Sequence, residues 1–354
     1  MNIGALGFFK SFYEHNAVTV ESISQREFGI GIDKKINYRH KSFSNQKELQ
    51  NFLVNETPRF ISHSVGRFDF PWAQPMEKKT LLNADLIFDL DAKPEENHNS
   101  AFCNNCIEVA KQDTIRLIEK FLLPVFGFSQ NDLLIVFSGS KGFHIHIRSP
   151  AVQSLSSASR RLLVDYITGE ELTVDSFVIP EKNGPMQGPS IISKGWQKCF
   201  YETTLNYLAN ASKLPKRIKE NKAHVLELMR RGNWSYFHGQ EELLDQLLQN
   251  TIQQNGVQVD SPVTFDVHRL IRVPGTLHGD TGFIAKPLTL NQLSQFSASR
   301  DAAAFRGRTA VNLKQPTTLT FAGEELDLKQ GENQVLISLA VLLECRGLVS
   351  NDAR

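Results

Sequence analysis

Two aspartates separated by one residue end an otherwise apolar run. Residues 84–91 read ADLIFDLD, so Asp89 and Asp91 flank Leu90. In a β-strand, residues two apart share a face, which would place both carboxylates on the same side. Adjacent carboxylates repel each other, and a divalent cation with oxygen ligands is the usual remedy. The pair predicts a metal site at a strand end, with a solvated strand end as the alternative.

A glycine-containing turn forms a second candidate site. The sequence SGSKG at 138–142 lies between an apolar run and the alternating residues 143–147. Glycines let backbone amides approach an anion, and Lys141 adds a positive charge beside Ser138. His144 and His146 share one strand face, and for His146 we favour a place on a polar sheet face, with Phe143 and Ile145 pointing to the core. The turn therefore predicts phosphate binding.

The third candidate site combines an acid with several cations. Asp266 ends a strand predicted at 263–267, and Arg269, Arg272 and His278 follow it. An acid beside cations suits a metal-bound triphosphate. Singly these residues are ordinary, since arginines three apart usually occupy a solvated face. Their coincidence with the other two sites makes them candidates.

Helical and strand patterns alternate around these sites. We predict helices at 8–13, 47–55, 106–123, 159–168, 204–231, 240–254 and 335–346, and strands at 60–65, 84–90, 132–137, 143–147 and 263–267, with a hairpin that begins at 26–30 and passes through a polar turn at 33–35. The segment 151–255 is mainly helical and is predicted to be an insertion subdomain. Residues 1–150 and 256–354 would then form the main core, an α/β (α+β) arrangement.

Composition excludes several classes of protein. The chain has 354 residues, of which 41% are hydrophobic and 22% charged, so disorder and fibres are excluded. The formal net charge of +1 means that any anion-binding site must be local. Four cysteines are too few for a disulfide scaffold and favour a reducing compartment. Without a signal-peptide pattern or a long apolar run, we expect a soluble, cytoplasmic protein.

Read together, these segments resemble the small catalytic subunit of archaeal-eukaryotic DNA primase, and most closely its archaeal form. The resemblance extends over nearly the whole chain. It is carried by REFG (26–29), YRHKSF (38–43), SVGRF (64–68), ADLIFDLD (84–91), FSGSKGFHIH (137–146), RRLLVDYITG (160–169), DVHRLIRVPGTLHG (266–279) and LLECRG (342–347). It implies a catalytic core of mixed β-sheets flanked by helices.

The resemblance also implies an activity, the synthesis of short primers from NTPs or dNTPs on a single-stranded DNA template during DNA replication. Asp89, Asp91 and Asp266 match the family's catalytic triad, which would hold two Mg²⁺ or Mn²⁺ ions. The remaining matching positions are the triphosphate-binding Ser138, Lys141, His144, Arg272 and His278, together with Arg39 and Ser64 near the site. Where the family commonly has a basic residue, this chain has Ser140. The implied partner is a large subunit that contains an iron-sulfur domain.

A zinc knuckle is expected in the segment 95–110. Cys103 and Cys106 have the two-residue spacing that lets both thiolates face one metal ion. The family supplies four ligands from this region, and here only His98 is a further soft ligand, leaving Glu95, Glu96 or water. A pair of free thiols is the alternative.

Three other functions compete with this interpretation. The DLDA sequence also resembles the nucleophile strand of haloacid dehalogenase-type phosphohydrolases, but Ala92 departs from that family's pattern and a long segment precedes it. A nucleic-acid-binding module without catalysis would be favoured by a broken acid triad, and the triad is intact. Primase-polymerases of repair or plasmid systems usually carry fused domains, for which we expect no room in this chain.

Overall fold

The computed structural model describes residues 4–91, 102–181 and 184–350. Within these residues the chain forms two compact units. The first comprises 1–115, 130–161 and 259–354, and the second comprises 116–129 and 162–258. The insertion expected at 151–255 stays a prediction.

The strands belong to several small sheets. They are β1 (Phe28–Gly31), β2 (Tyr38–Lys41), β3 (Phe60–Ser64), β4 (Gly66–Phe68), β5 (Leu81–Ala84), β6 (Leu86–Asp91), β7 (Leu133–Phe137), β8 (Gly142–Ile147), β9 (Leu270–Arg272), β10 (Pro287–Leu288), β11 (Arg308–Leu313), β12 (Thr317–Phe321), β13 (Glu324–Leu328) and β14 (Gly331–Leu336). The two larger sheets have the orders β2-β1-β3-β9 and β10-β7-β8-β6. The expected class of sheets with helices is confirmed, although neighbouring strands in both larger sheets pair antiparallel rather than in the mixed arrangement expected.

The helices lie in both units. They are α1 (Ala5–His15), α2 (Gln46–Glu56), α3 (Asn104–Leu117), α4 (Pro150–Gln153), α5 (Ser157–Thr168), α6 (Gly195–Asn210), α7 (Lys216–Glu220), α8 (Lys222–Arg230), α9 (Glu241–Asn255), α10 (Ser261–Phe265), α11 (Leu290–Ser294), α12 (Ala298–Asp301) and α13 (Ile337–Cys345). In the described residues, no helix has the length and apolar character needed to cross a membrane.

Two predicted elements are wrong in detail. The strand expected at 263–267 is the short helix α10, with a proline in its first turn. Proline already has the backbone angle of a first helical turn, and this outweighs the strand preference of Val263 and Thr264. The single helical pattern at 204–231 is divided among α6, α7 and α8 because Pro215 and Asn221 separate them.

The strands of the first unit pack into a buried core. All six residues of β8 are buried, because this strand pairs with β7 on one side and β6 on the other. Helices α1, α2 and α13 cover a core beside β1 and β3 that includes Phe9, Phe28, Leu49, Ile61 and Val341. In the second unit, the rings of Phe200 and Trp234 stack at 5.4 Å. The end of β6, which carries the acidic pair, thus lies beside the buried strand β8.

Candidate active site

The three candidate sites converge on one cavity in the first unit. Its volume is about 390 Å³. Its polar lining consists of Lys35, Arg39, Ser62, Asp89, Asp91, Ser138, Ser140, Lys141, His144, Asp266, Arg269, Arg272, His278 and Asp280. Segments far apart in the sequence thus meet here, as their shared chemistry suggested.

Strand register brings the acidic pair to the glycine turn. In the antiparallel pairing of β6 with β8, Asp89 lies opposite His144 and Asp91 lies opposite Gly142. The His144 Nε2 atom is 3.5 Å from Asp89 Oδ1. A Cβ atom added at Gly142 would lie 1.8 Å from Asp91 Oδ1, so only glycine leaves room for that carboxylate. The two motifs therefore form one continuous site.

Burial raises the proton affinity of both carboxylates in the acidic pair. Burial, and secondarily the charge of Asp260, raise the pKa of Asp89 from 3.8 to about 7. Burial and then the charge of Asp89 also raise the pKa of Asp91. The Oδ1 atom of Asp89 is buried and has no hydrogen-bond partner. A cation at this position would relieve both the repulsion and the missing contact.

Asp260 is a fourth acid that the sequence analysis missed. Its backbone N–H donates to the carbonyl oxygen of Asp89 at 2.9 Å. It directly precedes α10, where an aspartate reads as an ordinary helix-start residue. Only the packing of α10 on β6 reveals its proximity to Asp89.

Asp266 approaches the cavity from the other end of α10. Its Oδ1 atom accepts a hydrogen bond from the backbone N–H of His268 at 2.9 Å, which fixes the carboxylate at the helix end. Asp89, Asp91 and Asp266 thus line the same cavity. Among the residues that the structure describes, however, no three His, Cys, Asp or Glu side chains are grouped as a metal site.

The glycine turn is closed by its own serine. Ser138 Oγ accepts hydrogen bonds from the backbone N–H groups of Gly142 at 3.2 Å and Ser140 at 3.4 Å. Gly139 has φ +84°, and a Cβ atom there would lie 2.8 Å from the Cβ of His278. The turn therefore packs directly against the third candidate segment, and the Lys141 side chain lies on the cavity wall.

Phe60 supports the two basic residues of the third segment. Its ring centroid lies 5.4 Å from the Arg272 guanidinium and 5.5 Å from the His278 ring. Burial lowers the pKa of Arg272 to about 10, and its buried Nη1 atom has no hydrogen-bond partner. Burial and the charge of Arg272 lower the pKa of His278 well below its usual value. At neutral pH, Arg272 thus presents a charge and His278 a neutral imidazole.

His144 is also neutral at pH 7. Burial lowers its pKa to about 4, although the charge of Asp91 acts in the opposite direction. Its Nδ1 atom is buried without a hydrogen-bond partner. His146, on the same strand face, is fully buried and does not line the cavity. This strand face is therefore buried, and the polar sheet face expected for His146 is wrong.

Arg39 and Ser64 have different positions relative to the cavity. Arg39 lines it, while its Nε donates to the buried Glu27 carboxylate at 2.9 Å and its Nη2 donates to the His268 carbonyl at 3.0 Å. Ser64 is fully buried and is not among the cavity-lining residues. Its Oγ donates to the Gly66 carbonyl at 2.6 Å and accepts from the Glu27 N–H at 3.1 Å. Ser64 therefore holds Glu27, which in turn holds Arg39.

Lys35 is a further cavity residue that the sequence analysis missed. It lies in the connection between β1 and β2 and lines the cavity. Its positive charge partly offsets the rise that burial causes in the pKa values of Asp89 and Asp91. The pattern Asp33-Lys34-Lys35 reads as a polar turn, and nothing in the sequence indicates that the turn folds toward the acidic pair.

The cysteine pair lies at the start of α3. The backbone N–H of Cys106 donates to the Cys103 sulfur at 3.1 Å, and within the described residues neither cysteine forms a disulfide. Burial, followed by the hydrogen bond to Cys103, raises the pKa of Cys106 to about 11. His98, Glu95 and Glu96 lie outside the described residues, within which no zinc-binding group is found. The zinc knuckle stays a prediction.

Comparison with known proteins identifies the family. The family model described as DNA primase small subunit matches residues 88–290, more than half of the chain. The chain belongs to the DNA primase small subunit family. The DNA primase small subunit PriS of Methanothrix thermoacetophila is 32% identical, with 91% of each chain covered. That of Methanosarcina mazei is 30% identical, with 96% of this chain and 95% of the relative covered.

A solved structure is similar at a greater distance. The polymerase domain of Mycobacterium tuberculosis ligase D, determined in complex with DNA, has a TM-score of 0.34 and 13% identity, covering 78% of this chain and 68% of that one. Membership in the primase family confirms the resemblance carried by the motifs and identifies the chain as a primase nucleotidyltransferase. The phosphohydrolase alternative is thereby excluded.

Proposed function

We propose that the cavity joins nucleoside triphosphates into short RNA or DNA primers on a single-stranded DNA template. The observation that supports this most is the register of β6 and β8, which puts the acidic pair directly beside the glycine turn. Metal-binding oxygens and phosphate-binding groups must be neighbours in any enzyme that transfers a nucleotidyl group.

Asp89, Asp91 and Asp266 would hold two divalent cations, Mg²⁺ or Mn²⁺. The unpartnered Oδ1 atom of Asp89 and the all-oxygen donor set both suit these hard ions. When bound, such ions lower the pKa of the attacking 3′-hydroxyl and neutralise the leaving pyrophosphate. The raised pKa of Asp89 would fall on binding, because a nearby positive charge favours the ionised carboxylate.

The remaining cavity residues would bind and orient the triphosphate. Lys141 and Arg272 would contribute charge-assisted hydrogen bonds to its oxygens. His144 and His278, both neutral at pH 7, would donate hydrogen bonds without adding charge. Ser138 keeps the turn closed. Lys141 and Arg272 would thereby supply the positive charge that contacts the phosphates.

Arg39 and Ser64 would act as positioning residues. The Glu27 carboxylate fixes the Arg39 side chain at the cavity rim, and the Ser64 hydroxyl fixes the Glu27 backbone. Neither arrangement needs a ligand to form. The rim would therefore be preorganised before substrate binds.

We infer that the chain works with a large subunit that carries an iron-sulfur domain, uses NTPs or dNTPs, and acts in the cytoplasm on replicating DNA. A structural zinc ion would bind Cys103, Cys106 and His98 together with one further ligand. Residues 1–150 and 256–354 would form the catalytic core, with 151–255 as its helical insertion.

Primer synthesis on single-stranded DNA with labelled nucleotides tests this function. We expect wild-type product only when Mg²⁺ or Mn²⁺ is added, and no product from Asp266→Ala, because a metal ligand is lost without loss of core volume. The matched control is Asp245→Ala, which removes an exposed acid from α9. Dinucleotide formation by Asp266→Ala at the wild-type rate would contradict the assignment.

A further inference from the structure

A pair of exposed aromatic rings lies between β4 and β5, outside the catalytic cavity. The side chains of Phe70 and Trp72 are 49% and 56% exposed, whereas Trp196 and Trp234 are almost completely buried. The two exposed rings pack edge to face, with centroids 5.9 Å apart. Large aromatic side chains are usually removed from water, so two adjacent exposed rings indicate a binding surface. We name Phe70 and Trp72 the aromatic platform.

The base of the platform is fixed by a buried lysine. The Phe70 N–H donates to the Lys79 carbonyl at 3.1 Å. The fully buried Lys79 Nζ donates to the Pro71 carbonyl and lies 3.7 Å from Glu27 Oε2. Burial of a lysine requires such partners, so these contacts specify one conformation of the segment. The rings are therefore preorganised rather than carried on a loose loop.

Two chains of contacts connect this base with the catalytic cavity. In the first, the Glu27 carboxylate that faces Lys79 also binds Arg39, which lines the cavity. In the second, the Phe68 ring stacks on His268 at 5.8 Å, and the His268 N–H donates to Asp266. The platform is thus attached to the same rim that carries Arg39 and Asp266.

On the basis of the proposed function, we propose that the aromatic platform stacks an unpaired base of the single-stranded DNA template beside the cavity. Aromatic rings bind the faces of all four bases, which suits a template of any sequence. The exposed charges nearby, on Asp69, Glu77 and Lys78, have no excess of positive charge that would attract phosphate. Contact should therefore be with the bases, while the cations of the cavity contact phosphates.

Binding of labelled oligonucleotides to the full-length protein tests the proposal. The probes are a thymidine oligonucleotide and an abasic oligonucleotide of the same length, measured by fluorescence anisotropy. We expect Trp72→Ala to weaken thymidine-oligonucleotide binding roughly 5- to 150-fold, the range of one lost stacking contact. The affinity for the abasic oligonucleotide should not change. The dependence of the affinity on salt concentration should also stay the same, since no phosphate contact is lost.

Controls separate stacking from other effects. Trp72→Phe should retain most of the affinity because it keeps an aromatic face. Ile192→Ala removes an 85% exposed apolar side chain from the second unit and should bind like wild type. Thermal melts of all variants check folding. Quenching of tryptophan emission by the thymidine oligonucleotide in wild type that is lost in Trp72→Phe assigns the signal to Trp72, because Trp196 and Trp234 remain in both proteins.

Several results would overturn the proposal. Unchanged binding by Trp72→Ala would do so, and so would an equal loss on both oligonucleotides. If Trp72→Ala instead keeps DNA binding but loses self-association in sedimentation, the platform is a protein interface and the proposal is wrong. If wild type makes no primers yet shows Trp72-dependent base binding, the proposed function fails while the platform stands.

Discussion

Replacing Asp89 with asparagine should make the metal-free protein more stable and inactive at the same time. Burial beside Asp260 raises the pKa of this carboxyl from 3.8 to about 7. Between these two values the folded state binds a proton that the unfolded chain has released, so stability falls as the pH rises. At about 1.4 kcal/mol per tenfold difference in proton affinity, the loss reaches about 4 kcal/mol above pH 7. Asparagine keeps the shape but never ionises.

Urea unfolding from pH 5 to pH 8, without divalent metal, measures this effect. We expect Asp89→Asn to raise the free energy of unfolding by at most about 4 kcal/mol at pH 8, with a gain that shrinks steadily toward pH 5. Asp245→Asn, on the exposed face of α9, should show no such trend. Added Mn²⁺ should raise the Tm of wild type more than that of the Asp89 variant. An Asp89 variant less stable than wild type at pH 8 would refute the reasoning.

Three further substitutions test other parts of the site. Gly142→Ala should lower kcat/KM at least tenfold, because the added methyl group meets Asp91 at 1.8 Å; steady-state kinetics at wild-type rates would contradict this. Glu27→Gln should lower the free energy of unfolding by about 3–5 kcal/mol in urea melts, since Lys79 stays buried without its anion; a loss below about 1 kcal/mol would argue against that pairing. His278→Ala should weaken nucleotide binding more than template binding in titrations, and equal losses would exclude its contact with phosphate.

The sequence predicts the strands of the site well because their signals are local. The apolar run before Asp89 and the alternation at 143–147 correspond to β6 and β8. Alternation also assigns His144 and His146 correctly to one face. The structure adds the register, which depends on pairing between segments more than fifty residues apart and leaves no mark in either segment alone.

The sequence does not indicate the positions of charged residues whose partners are distant in the chain. Asp85 is fully buried, with Arg26 at 2.7 Å, Arg67 at 2.9 Å and Arg148 at 3.4 Å from its carboxylate. Nothing near any of these residues in the sequence indicates that ion-pair cluster. Asp260 was missed for the same reason, since its partner is a strand about 170 residues earlier.

The pairing of β6 with β8 also bears on how the site could be rebuilt. The backbone hydrogen bonds between β6 and β8 hold the acidic pair next to the glycine turn. The distance between the proposed metal-binding and phosphate-binding residues is therefore set by the sheet rather than by side-chain packing. A designer who transplants this centre therefore needs the two-stranded ladder first, with β9 added to supply Arg272. Deleting a single residue from the turn would shift β8 by one residue against β7 and turn His144 to the opposite face of the sheet.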